Sequence, residues 1–158
     1  MRENVELIKR FYTAFANRDY AGMQACYDPD IDFSDPVFSV KGKRAFAMWH
    51  MLTTSGSDLK VVCSDVEADL GHGHAHWEAD YTFSATKRPV HNVLDATFRF
   101  SQGKIVWHRD TFNFWRWSRQ ALGPTGLFLG WTPTLQNKVR ATANANLDKF
   151  IAAHPEYQ

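Results

Sequence analysis

Four stretches rich in β-branched and aromatic residues follow one another between residues 59 and 115: LKVVCSDVEADL, HAHWEADYTFSAT, VHNVLDATFRF and KIVWHRDTFNFW. Only GHG, TKRP and SQG separate them, which suits an antiparallel meander of neighbouring strands. Because strand side chains alternate, each stretch also declares its two faces. In the second, Trp77, Ala79, Tyr81 and Phe83 oppose His76, Glu78, Asp80 and Thr82. The third sets Asn92, Leu94, Ala96, Phe98 and Phe100 against His91, Asp95, Thr97 and Arg99, and the fourth sets Val106, His108, Asp110, Phe112 and Phe114 against Trp107, Arg109, Thr111 and Asn113. A sheet with one apolar and one polar face needs a second layer on its apolar side.

Helices supply that layer. From Glu3 to Asn17, Val5, Ile8, Phe11, Tyr12 and Phe15 recur every three or four residues, which predicts one helix face turned to a core. A short helix from Asp19 to Tyr27 follows, then a YDPD turn and an extended IDFSDP segment that puts Ile31, Phe33 and Asp35 on one side. Pro36 disfavours the α conformation at Asp35. A third helix is expected over KRAFAMWHMLTT, and Leu135, Val139, Ala143, Leu147 and Phe150 predict a last one ending before His154-Pro155. The WSRQALGPTGLFLGWTP segment reads as a short helix and a glycine-punctuated apolar loop, placed to act as a lid or as a dimer surface, with Gly123, Gly126 and Gly130 permitting movement. Without repeats or linkers, the chain is one α+β domain.

Composition narrows the function classes. Aromatic residues make up 15% of the 158 and charged residues only 22%, too apolar a balance for disorder. With 18 basic and 17 acidic side chains the net charge is +1, which provides no field for a nucleic-acid backbone. The charges at Arg2, Glu3, Glu6, Lys9 and Arg10 interrupt any signal-peptide core, and no apolar run approaches membrane-spanning length. Cys26 and Cys63 have neither CxxC nor zinc-site spacing, so reduced thiols in a cytoplasmic protein are expected.

The helix ENVELIKRFYTAFANRDYAGM, the segment DPDIDFSDPVF, the GKRAFAMW helix and above all FRFSQGKIVWHRDTFNFW resemble the SnoaL-like branch of the NTF2-like superfamily, home to ketosteroid isomerases, limonene epoxide hydrolases and polyketide cyclases. The resemblance implies a cone: a curved antiparallel sheet packed against amino-terminal helices in a cystatin-like α+β barrel, with an extra carboxy-terminal helix. Residues 1–117 would form the domain, and 118–158 a lid loop and helix packed on it. It also implies an apolar pocket for a small hydrophobic molecule, cofactor-independent acid–base chemistry of isomerase, cyclase, dehydratase or hydrolase type, and a homodimer paired through the outer sheet face. A non-catalytic ligand carrier or dimeric interaction module is the other outcome the superfamily allows.

Ionisable residues on the inward faces are the site candidates, because an unpaired charge is costly among aromatic rings. Asp110 falls where limonene epoxide hydrolases keep a catalytic acid; it is expected either to transfer protons or to hydrogen-bond a neighbouring strand. His108 points the same way and could share a proton with it. Asp35 is a second polar contact or the cap of its own turn. Trp49, Trp77, Tyr81, Asn92 and Phe112 would line the substrate site. The epoxide-hydrolase Asp-Arg-Asp set is not expected, since Trp77 and Ala79 occupy the positions that would carry its Arg and Asp. For a ketosteroid-isomerase arrangement, Asp35 or Asp110 would be the base and Tyr81 the donor. His72, His74 and His76 alternate as metal ligands could, but glycines mark a turn and their face is the outer one, so neither a metal nor a cofactor is expected.

Overall fold

The computed structural model describes all 158 residues. Helices α1 (Arg2–Ala16) and α2 (Tyr20–Cys26) lead into β1 (Tyr27–Ser34) and the short β2 (Ser39–Lys41). Then come α3 (Lys43–Ser55) and four long strands, β3 (Lys60–Ala68), β4 (His72–Phe83), β5 (Arg88–Ser101) and β6 (Lys104–Thr111). The chain closes with α4 (Phe114–Leu122), α5 (Pro124–Leu129), α6 (Pro133–Ala152) and a 3₁₀ turn at Pro155–Tyr157.

The meander expected between residues 59 and 115 is present, and it forms part of a six-stranded sheet of order β2-β1-β6-β5-β4-β3. Its tightest hairpin, β5 to β6, turns on Gln102 and Gly103, both with positive φ, the geometry that two-residue loops require. The sheet is mixed, not wholly antiparallel, because β1 runs parallel to β6. β1 begins at Tyr27, so YDPD belongs to a strand with a register shift between Tyr27 and Asp32 and is not a free turn. At the far end, β6 stops at Thr111 because the Asn113 side chain accepts a 2.9 Å hydrogen bond from the Arg116 amide and starts α4; Phe114 is therefore helical. A bulge between Arg99 and Phe100 turns Ile105 inward in place of Val106, which is only half-buried.

The concave face carries the core. Ile8, Phe11 and Phe15 of α1, Met48 and Trp49 of α3, and Phe33, Trp77, Ala96 and Phe98 of the sheet are all buried. Each large side chain contributes roughly 1.5–3 kcal/mol relative to exposure. Phe11 stands edge-on to Trp49 at 5.8 Å and stacks on Tyr27 at 5.1 Å, and Phe33 meets Trp49 at 5.2 Å. Ring thus packs on ring, and the deep part of the cone is filled.

Its other end is built differently. β1, β4 and β6 run in one direction, and β4 continues past the end of β6 to Phe83, where α4 lies across the start of β5: Gln120 accepts from the His91 amide at 2.8 Å and donates to the His91 carbonyl at 3.1 Å. The glycine-punctuated stretch after α4 is helical, not a loop. A methyl group on Gly126 would collide with the Ser118 carbonyl, so this glycine permits close packing of α5 on α4 and not movement. Along α6 only Leu147 is buried, but Arg140 donates from Nε to the Pro36 carbonyl at 2.8 Å. The helix thereby braces the turn carrying Asp35.

Candidate active site

Strand alternation places His108 and Asp110 on the concave face of β6, with 0% and 3% of their surfaces exposed. They bond directly: His108 Nε2 lies 2.9 Å from Asp110 Oδ1. Behind them, Tyr27 Oη is 2.7 Å from His108 Nδ1 and accepts from Trp49 Nε1 at 3.0 Å. In front, Trp77 Nε1 donates to the same Asp110 oxygen at 3.3 Å. One proton arrangement satisfies every partner: Trp49 donates to Tyr27, Tyr27 O–H donates to Nδ1, and Nε2–H donates to Asp110. Burial pushes the Tyr27 hydroxyl well above the ordinary tyrosine range, with the Asp110 charge acting in the same direction, so the phenol keeps its proton. Both bonds to the carboxylate fall on Oδ1.

Asp35 caps its own turn, the second of the two expected roles. Its Oδ1 accepts the Val37 and Phe38 amides, each at 2.7 Å, which fixes the turn after β1. Desolvation outweighs those two bonds and, with repulsion from Asp110 added, lifts its carboxyl from 3.8 to about 7. The residue is half-buried, so unlike Asp110 it has access to solvent. Close by, Tyr81 Oη accepts from Trp117 Nε1 at 2.8 Å; burial raises its pKa, and the Asp35 charge adds to the effect. Val37, Tyr81 and Phe112 are half-buried and pack both on the main core and on a smaller cluster of Val90, Phe114, Trp117 and Ala121. They form the seam between the filled cone and the α4 cover.

The other expected residues divide between these two places. Trp49 and Trp77 belong to the buried hydrogen-bond chain. Asn92 is buried on the inner face of β5, paired with Ala79 of β4, while Phe112 lies in the seam.

Four contributing residues escaped the sequence. Tyr27 meets His108 across 81 positions. Trp117 caps the Tyr81 hydroxyl from α4, and Arg140 braces the Asp35 turn. The fourth, Tyr12, is buried, and its hydroxyl is the one buried side-chain polar atom with no hydrogen-bond partner. Burial first, then the charge of Asp110, holds its proton far above the usual range. A Tyr amid a Phe stripe on an amphipathic helix was the available signal.

The histidines at 72, 74 and 76 do not gather around a point. On the convex face, His76 contacts Asp95 at 3.2 Å and Glu78 at 3.0 Å, while His91 contacts Glu78 at 2.9 Å and Asp80 at 2.8 Å. Hydrogen bonds donated to Glu78 and Asp95 raise the pKa of His76, and those donated to Asp80 and Glu78 raise that of His91.

A curved, mixed six-stranded sheet packed against helices is the NTF2-like class of α+β fold. Solved structures agree. An LEH-like epoxide hydrolase from M. tuberculosis superposes with a TM-score of 0.66 at 18% identity, covering 81% of this chain and 96% of that one. An NTF2-like protein of unknown function from Burkholderia pseudomallei K96243 gives 0.65 at 18% identity, over 77% and 98%. AclR from Streptomyces galilaeus gives 0.64 at 20% identity, over 82% and 98%. These likenesses establish the fold. No curated protein sequence matches the chain. Residues 8–108 match the SnoaL-like domain, and the protein belongs to that family.

Proposed function

We propose that this protein binds a small, mostly hydrophobic molecule at the seam between the filled cone and α4, and transfers protons on it without a cofactor. The observation that carries this is an aromatic interior that holds two carboxyls: Asp110, buried and bonded to His108 and Trp77, and Asp35, half-buried in the turn after β1, whose pKa burial lifts to about 7. A carboxyl whose pKa lies near neutral pH is suited to exchange a proton there. Asp35 exchanges the proton, and Asp110 is fixed by His108 and Trp77 through Oδ1. Tyr12 adds a buried hydroxyl that still has a bond to give. Tyr81, Phe112 and Asn92 contribute walls and polar contacts.

Reactions of isomerase, cyclase, dehydratase or hydrolase type all fit a proton relay of this kind. The similar epoxide hydrolase from M. tuberculosis supports the last of these only through its fold. Pairing of two copies through the convex face of β4 and β5, and a cytoplasmic location suited to the free thiols of Cys26 and Cys63, complete the proposal. If the aromatics serve only to carry a ligand, neither carboxyl matters beyond binding.

A thermal-shift screen of hydrophobic ligands, followed by turnover assays on those that stabilise, separates these cases. The expected result is a stabilising ligand whose binding survives Asp35→Asn while turnover falls by about a hundredfold or more. A ligand that binds without being turned over would leave a carrier, unchanged turnover in Asp35→Asn and Asp110→Asn would overturn the roles of the two carboxyls, and no stabilising ligand at all would overturn the site.

A further inference from the structure

Away from the seam, the chain's last turn folds back over α3. Pro155 disfavours the α conformation at His154, which sits at φ −129° and ψ 86° and ends α6. The 3₁₀ turn that follows brings Glu156 round, so that His50 of α3, His154 and Glu156 each present one ligand atom, all within 4.8 Å of one another. Both imidazoles are held by neighbours. His50 stacks on Tyr20 at 3.6 Å, His154 stacks on Phe150 at 3.8 Å, and the two imidazoles stand 5.2 Å apart at 69°.

Each ring has one nitrogen engaged. His154 Nδ1 donates to the Phe150 carbonyl at 2.7 Å, which leaves the Nε2 lone pair free. His50 Nδ1 lies 2.8 Å from Tyr157 Oη, a group able to accept its proton and so release the other nitrogen. Each ring thus has one nitrogen held by a neighbour and the other left to bind, the support that metal-binding histidines need. Glu156 is exposed on a short turn and can swing. Tetrahedral zinc spaces its ligand atoms about 3.3 Å apart, so closure asks only a small contraction of the trio.

We propose that His50, His154 and Glu156 form a binding site for a divalent transition cation of the zinc type. Two imidazoles and one carboxylate select such an ion over magnesium or calcium, which take oxygen ligands. Glu156 also lines an adjoining cleft of about 690 Å³, together with Tyr157, Tyr20, Gln24 and Lys43. Bound metal pins the last turn to α3 and stabilises the fold by mass action.

The test is calorimetric titration of untagged protein with zinc chloride, with cobalt(II) absorption as a report on geometry. Three variants accompany the wild type: His154→Ala, Glu156→Gln, and a control lacking the outer-face histidines His72, His74 and His76. One equivalent should bind to wild type and control alike, raising the melting temperature, with affinity falling at least tenfold in His154→Ala and measurably in Glu156→Gln. Glu156 is exposed, so its variant folds even if His154→Ala does not. Binding that persists unchanged in both ligand variants, disappears in the control, or never saturates would overturn the site.

Discussion

On the concave face of the sheet, His108 meets one phenol and one carboxylate away from solvent; on the convex face, His76 and His91 each meet two carboxylates in water. The same pairing has opposite energetics on the two sides. Inside, water cannot replace a lost partner, so each atom of the Trp49–Tyr27–His108–Asp110–Trp77 chain depends on its neighbours. Outside, solvent and salt compete for every bond, and the ladder contributes little although it contains more ion pairs. The histidines differ in kind as well. His76 and His91 use both nitrogens toward acids, which favours the charged ring, whereas the His108 chain is satisfied by a single tautomer.

The largest expected effect breaks the inner pair. His108→Leu strips Asp110 of its main partner in the core and should cost about 3–5 kcal/mol in urea denaturation. His108→Leu combined with Asp110→Leu should recover part of that loss, because no orphaned carboxylate remains. A double variant no more stable than the single one would deny that the pair is coupled.

Tyr27→Phe comes next. Removing its hydroxyl leaves Trp49 Nε1 and His108 Nδ1 without a partner, a loss of about 1–3 kcal/mol in the same assay.

Asp35 predicts a pH dependence of definite sign. Its folded pKa lies above the unfolded value, so the folded state holds the proton more tightly. Its contribution to stability is therefore greatest below about pH 4, declines as the pH climbs to about 7, and stays level above that. Thermal melts of Asp35→Asn, which keeps the oxygen that accepts from Val37 and Phe38, should lose this slope. A wild-type curve flat across the window would contradict the placement of the carboxyl.

The convex ladder gives the smallest response, in a higher window. His76 and His91 have raised folded pKa values, so their support is complete below about 6.5 and is lost as the pH rises through those values. His91→Ala should shift the melting midpoint by no more than about 3 °C at pH 6, and the shift should shrink in salt. A loss as large as that of His108→Leu would erase the distinction between the two faces.

What the chain disclosed in advance followed from periodicity. Alternation in β4, β5 and β6 assigned Trp77, Asn92, Leu94, His108 and Asp110 to the inner face because a strand buried on one side leaves its period in the sequence. Contacts between distant segments leave no period. Tyr27 finds His108 only through the parallel pairing of β1 with β6, and Arg140 reaches Pro36 across 104 positions. Local chemistry misled in two places. Asn113 ended β6 by capping a helix, and Gly126 served close packing where sequence alone suggested motion.

Burial poises the Asp35 carboxyl near neutral pH, and the charge of Asp110 adds to the shift. Carbon-13 NMR titration of the Asp35 side chain tests it directly. A midpoint of about 7 is predicted, moving downward in Asp110→Asn as the neighbouring charge is removed. A midpoint near 4, unmoved by that substitution, would contradict it.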